Sequence, residues 1–189
     1  MPDAVVVVTG DRITAAGARA SVTVPAGATV IDGTGQFVVP GFFDTNVHLS
    51  LYGGVNDRYE TLVRYHSRQA EIVLEAAQLQ LKHGVTTVRD SYGVLPALVE
   101  TRERIAKGQA VGVSILAAGN IVGWGGPYSV SFSLIRGAGD DVDAGDCGRH
   151  SPLADIKNIR RIRVLMSNGA VVNRDSLPQV RVLSRAPTK

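Results

Sequence analysis

Three polar residues, Asp44, Asn46 and His48, alternate along the chain just after the apolar run Phe37-Val38-Val39-Pro40-Gly41-Phe42-Phe43. On a β-strand, residues two apart share a face, so Asn46 and His48 are expected to point the same way where the strand ends. An imidazole is a good donor to zinc and its neighbours; an amide oxygen suits harder cations and is the weaker zinc ligand. Asn46 and His48 are therefore candidate metal donors. The competing role for each is local, a strand-end side chain held by hydrogen bonds.

Other candidates lie at the ends of later strands. Val85-Thr86-Thr87-Val88 reads as a strand and runs into Arg89 and Asp90, and Val113–Ala117 reads as another, leading to Asn120. Barrel enzymes place their sites at the C-terminal ends of parallel strands, which makes Arg89, Asp90 and Asn120 candidates for the substrate side. A local ion pair, or a helix N-cap by Asp90, is the equal alternative for the first two. Gly119 to Pro127 is glycine-rich but lacks the Lys-Ser/Thr of a phosphate loop. It is expected to be a substrate-side loop, with Trp124 and Tyr128 as an apolar wall. Cys147 and His150 lack a second ligand pair, and Asp140, Asp141, Asp143 and Asp146 miss the spacing of a calcium loop.

These residues need elements to position them. The β-branched run Ala4–Val8, a Gly10-Asp11 turn and Arg12–Ala15 predict a hairpin. Val22–Val24 and Thr29–Asp32 predict two more short strands before the Phe37 strand, which is expected to be buried. The period then changes from two to 3.6. Leu62, Tyr65, Ile72, Ala76 and Leu79 share a helical face between Glu60 and His83, with Gly84 placed to end the helix. His66 and His83 fall on that helix as exposed residues. A second helix runs from Leu95 to Lys107 and stops at Gly108. Strand, helix, strand, helix, strand at this spacing predicts βαβ units and a parallel sheet. From Gly137 to Gly148 only turn formers and acids appear, which predicts a connection. Arg161–Met166 and Ala170–Asn173, joined by Asn168-Gly169, predict a final hairpin.

Four segments together resemble the amidohydrolase superfamily, in its imidazolonepropionase-like or prolidase-like branch. They are Val30–Gly35 ahead of Pro40-Gly41; Asp44–His48, against the family pattern Pro-Gly-x-x-Asp-x-His-x-His; Gly84–Asp90; and Pro152–Ile156 through Gly169–Val172. Asn46 stands where that pattern has its first histidine. The resemblance implies an α/β chain: a partial (β/α)8 TIM barrel of about three βα units, plus a small β-sandwich formed by the N- and C-terminal segments. The implied boundaries are 1–38 and 153–189 for the two parts of the sandwich, 39–136 for the truncated barrel, and 137–152 for the junction. A complete barrel takes about 250 residues, so the spacing implies a large internal deletion at the junction.

The family hydrolyses C–N bonds of amides, cyclic amides or Xaa-Pro compounds with a divalent metal, zinc foremost. Its remaining ligands come from later strands that have no counterpart here. Activity is thus expected to be impaired in this chain, and occupancy of its own metal position stays open. The alternative is a non-catalytic remnant or self-associating scaffold fragment, a homo-oligomer through its open sheet edge.

The resemblance implies a small-molecule substrate as the partner. No run reaches the roughly 18 apolar residues of a membrane span, and the N-terminus lacks the basic start of a signal peptide. A single cysteine, Cys147, excludes an internal disulfide framework and suggests the cytoplasm. The net charge of +3 hides an asymmetry: from Lys157 to Lys189 there are eight Lys or Arg and one acid, Asp175. Without nucleic-acid motifs beside it, this reads as a solvated hairpin face and not as a nucleic-acid or membrane surface.

Overall fold

The computed structural model describes residues 3–51, 65–119 and 162–183. Its contacts divide the chain into two compact units, Met1–Pro40 with Arg163–Asn173, and Gly41–Ile162 with Arg174–Lys189.

In the first unit, strands β1 (Ala4–Thr9) and β2 (Arg12–Ala18) pair antiparallel, with a bulge between Val7 and Val8. Much later in the chain, β6 (Met166–Ser167) and β7 (Ala170–Val171) form a second antiparallel pair. Asn168 and Gly169 turn between them with φ of 50° and 75°, the left-handed values that a two-residue hairpin needs. The two pairs are separate two-stranded sheets. Among the described residues, Val7 and Leu165 are the buried apolar residues of this unit.

The strands expected at Val22–Val24 and Thr29–Asp32 do not form, and the Phe37 strand begins only at Phe42. Phe37 is 94% exposed, Val38 78% and Phe43 55%, and Phe42 is only half-buried, so the expectation of a buried run is wrong along its whole length. The cause is the lack of a neighbour. Extended backbone persists as strand only when its N–H and C=O groups find partners, and among the described residues none is aligned beside 22–39. Asp32 instead closes a local turn, its Oδ1 accepting the N–H of Thr34 at 2.9 Å and its hydroxyl at 2.7 Å.

The second unit is built on a three-stranded parallel sheet in the order β3 (Phe42–Val47), β4 (Val85–Asp90), β5 (Ser114–Ala117). Helix α1 (Gln69–Lys82) precedes β4, and α2 (Leu95–Ala106) links β4 to β5. This is the alternating βαβ arrangement that the periodicity predicts. Helix α1 ends as expected, with Gly84 at φ +90° just past its C-cap.

The core lies between helices and sheet. Ile72, Val73, Ala77 and Leu81 of α1, Val88 of β4, Leu98 of α2 and Val113 ahead of β5 are all fully buried. Each larger side chain in this set stabilises the unit by about 1.5–3 kcal/mol relative to exposure. Leu79, placed on the inward face by the periodicity, is only half-buried. Among the described residues, no helix is long and apolar enough to cross a membrane.

Candidate functional site

The C-terminal ends of the three parallel strands meet in a small polar assembly organised by Asp90. The Asp90 side chain is fully buried, and its Oδ2 accepts the N–H of Leu49 at 2.7 Å. Its Oδ1 accepts the N–H of Tyr92 at 3.1 Å, while its main-chain carbonyl accepts the N–H of Ala118 at 2.8 Å. One residue therefore ties together the exits of β3, β4 and β5. Burial pushes the Asp90 carboxyl up to about 7, against the pull of the two N–H donors, which favour the charged form.

Ser50 and Ser91 complete the assembly. Ser50 is fully buried in the 3-10 turn Leu49–Leu51, and its Oγ accepts the N–H of Val94, the residue before α2. The Ser91 N–H donates to the Val47 carbonyl at 3.1 Å, and its hydroxyl donates to Asn46 Oδ1 at 2.5 Å. Neither serine stood out in the sequence. The Asp-Ser-Tyr-Gly run at 90–93 was the available signal, a turn composition straight after a parallel strand.

Asn46 and His48 both sit at the exit of β3, but in different surroundings. Asp44 Oδ1 accepts the N–H of Asn46 at 3.2 Å, a local turn, and the pairing of β3 with β4 shifts register between Asp44 and Val47. Such an irregularity re-aims side chains, so the two-residue alternation is interrupted between Asp44 and Val47. Asn46 is exposed and engaged by Ser91. His48 is half-buried, with its Nδ1 enclosed and without a hydrogen-bond partner among the described residues. Its ring meets Tyr92 edge-on, centroids 6.1 Å apart at 82°.

A cavity of about 280 Å³ opens beside His48, lined by Val47, Leu49, Ala76, Leu79, Gln80 and His83. It lies between the end of β3 and α1. His83, exposed as expected, shares this cavity with His48. Arg89 is half-buried on β4 next to Asp90. Asp90 does not cap α2, whose N-cap residue is Val94 without a side-chain bond. It is a strand-end organiser instead. Asn120, Trp124 and Tyr128 lie outside the described residues, as do Cys147, His150 and the 137–152 junction.

The described residues do not by themselves suit a metal ion. Among them, no three of His, Cys, Asp and Glu come together. His48 offers an unpartnered nitrogen, but Asn46 Oδ1 already accepts the Ser91 hydroxyl. A tightly held zinc needs three or four protein donors.

No family model matches the sequence, and no curated protein matches it. Solved structures do match. The structure of phenylurea hydrolase B is 42% identical with a TM-score of 0.61, covering 72% of this chain and 31% of that one. A structure of molinate hydrolase is 34% identical, also at 0.61, covering 68% of this chain and 28% of that one. A prolidase-like protein from Bifidobacterium longum is 29% identical at 0.52, covering 68% and 28% respectively. The chain spans less than a third of the length of each of these three structures.

Proposed function

Because this chain belongs to the amidohydrolase superfamily, we propose that it is part of a hydrolase that cleaves a C–N bond in a small molecule. The observation that carries the reading is the Asn46/His48 pair at the exit of a strand in a parallel βαβ sheet, the end at which barrel enzymes place their chemistry. The likeness to phenylurea hydrolase B favours a carbonyl flanked by nitrogen, as in a urea or amide.

The superfamily is generally metal-dependent, and a bound divalent ion would supply a polarised water. His48 is the described residue best placed to serve it, and the family's other donors belong to later strands that have no counterpart in this chain. Within this chain, Asp90, Ser50 and Ser91 hold the strand exits in register, and His48 presents its ring beside Tyr92. In the same reading, residues 1–38 and the hairpin of 163–173 are two parts of one sandwich, and 137–152 joins it to the interrupted barrel of 39–136. Residues 174–183, expected in the sandwich, group instead with the parallel-sheet unit.

Elemental analysis of the purified protein, paired with an assay for amine release from a phenylurea and an Xaa-Pro dipeptide, tests this. About one equivalent of zinc, manganese or iron, with amine release abolished by His48→Ala, supports the reading. No metal after loading and no amine release would overturn it for this chain.

A second reading, a non-catalytic fragment that self-associates, has its own supporting observation. Phe43 is 55% exposed and Leu116 39%, on β3 and β5, the outer strands of the described parallel sheet. Open apolar edges of this kind invite pairing between copies. Light scattering behind size-exclusion chromatography separates the two. A monodisperse monomer with one cooperative melt counts against self-association.

A further inference from the structure

Helix α1 has a polar stripe as well as an apolar one. Glu75, Gln78 and Lys82 are spaced three and four apart, which places them along one side of the helix. All three hold residues 177–183. Glu75 is fully buried, yet its Oε2 accepts the N–H of Val182 at 2.7 Å and of Leu183 at 2.9 Å. Gln78, only 1% exposed, accepts the N–H of Gln179 at 2.7 Å and of Val180 at 3.4 Å through Oε1. Its Nε2 donates to the Val111 carbonyl at 3.0 Å and to Gln179 Oε1 at 3.2 Å. Lys82 Nζ donates to the Leu177 carbonyl at 2.8 Å. At the head of the segment, Arg174 donates through Nε to the Lys82 carbonyl at 2.6 Å and through Nη1 to the Ile162 carbonyl at 2.5 Å.

Toward residues 177–183, the stripe thus binds mainly main chain: the N–H groups of Gln179, Val180, Val182 and Leu183 and the Leu177 carbonyl. The segment forms neither helix nor strand. Helix α1 holds it by side-chain hydrogen bonds, and the side chain of Leu177 is buried. A segment held this way opens at lower cost than the core beneath it. Opening would also return the Glu75 carboxylate to water, so no buried charge is left without partners.

We propose that residues 177–183 are a strap that opens and closes on α1 as one unit while the parallel sheet stays folded, with Glu75 and Gln78 as its latch. Closed, the strap seals the polar side of α1. Open, it uncovers a carboxylate and an amide one turn apart.

Native-state hydrogen exchange on the full chain, in urea below the unfolding transition, tests this. The amides of Gln179, Val182 and Leu183 should exchange with one common urea dependence, at least tenfold faster than those of Val73 and Val88. Glu75→Ala should speed all three a further tenfold, Gln179 included, and leave Val88 unchanged. Gln78→Ala should do the same at Val182 and Leu183, and provides the test if the Glu75 variant does not fold. Strap amides exchanging in step with Val88 would overturn the proposal. So would a response confined to the amides bonded to the altered side chain.

Discussion

The Asp90 carboxylate accepts the N–H of Leu49 at 2.7 Å across 41 positions of sequence, and both residues are buried. This bond fixes where the chain goes immediately after His48. The orientation of the candidate histidine therefore depends on a carboxylate contributed by the next parallel strand.

Replacing Asp90 with Ala leaves the N–H groups of Leu49 and Tyr92 without their acceptor. A buried donor left unsatisfied costs about 1–3 kcal/mol, so Asp90→Ala should lower the unfolding free energy by about 2–3 kcal/mol. Urea denaturation with an unchanged m-value is the check. A loss under about 0.5 kcal/mol would mean that water replaces the carboxylate freely.

The same residue sets a pH dependence. Burial holds the folded-state Asp90 near 7, whereas the unfolded chain ionises near the usual aspartate value of about 3.9. Between these values the folded state binds the extra proton, so the Asp90 contribution to stability falls as pH rises from about 4 to about 7, and is level beyond. Exposed Asp32, Glu71 and Glu103 are shifted downward and act in the opposite sense. The difference between parent and Asp90→Asn isolates the effect: the parent's relative advantage should shrink across that window. A difference that grows with pH would contradict it.

Gly93 has no room for a side chain. A Cβ there would lie 2.8 Å from Leu98 Cδ1, 2.9 Å from Asp90 Oδ1 and 3.0 Å from Ser50 Oγ. Gly93→Ala should destabilise by about 1–3 kcal/mol, the usual range for overpacking. It should also loosen the site, seen as a changed ring environment for Tyr92 in its NMR resonances.

Leu98 is fully buried where α2 packs on the sheet. Leu98→Ala should cost about 2–5 kcal/mol, measured by thermal or urea unfolding. Ser91→Ala, which removes one hydrogen bond to exposed Asn46, should cost under about 1 kcal/mol. If Ser91→Ala proved as damaging as Leu98→Ala, the strand exits would depend on the serine far more than its exposure implies.

Much of the parallel unit was legible in the sequence, because local periodicity encodes it. Ile72 and Ala76 share a helical face, Gly84 stops the helix, and Val85–Val88 is β-branched beyond doubt of type. Segment 22–39 departs from expectation because its composition favours strand while strand formation needs a partner that composition does not specify. Asn46, His48, Arg89 and Asp90 do fall at or beside the ends of β3 and β4, but their roles are not legible in the sequence. Nothing local distinguishes an Asp90 facing a substrate from one whose carboxylate is taken up by Leu49 and Tyr92.

The sequence alone determined the βαβ order of the parallel unit, the helix stops and the family, since these follow from short-range patterns of apolar spacing, turn residues and motif. Tertiary structure alone decided that Asn46 is engaged by Ser91, that His48 keeps an enclosed nitrogen without a described partner, and that Glu75 holds a segment 107 positions away. Those outcomes depend on which distant backbone groups arrive beside a side chain. Packing sets that, and no local window of sequence contains it.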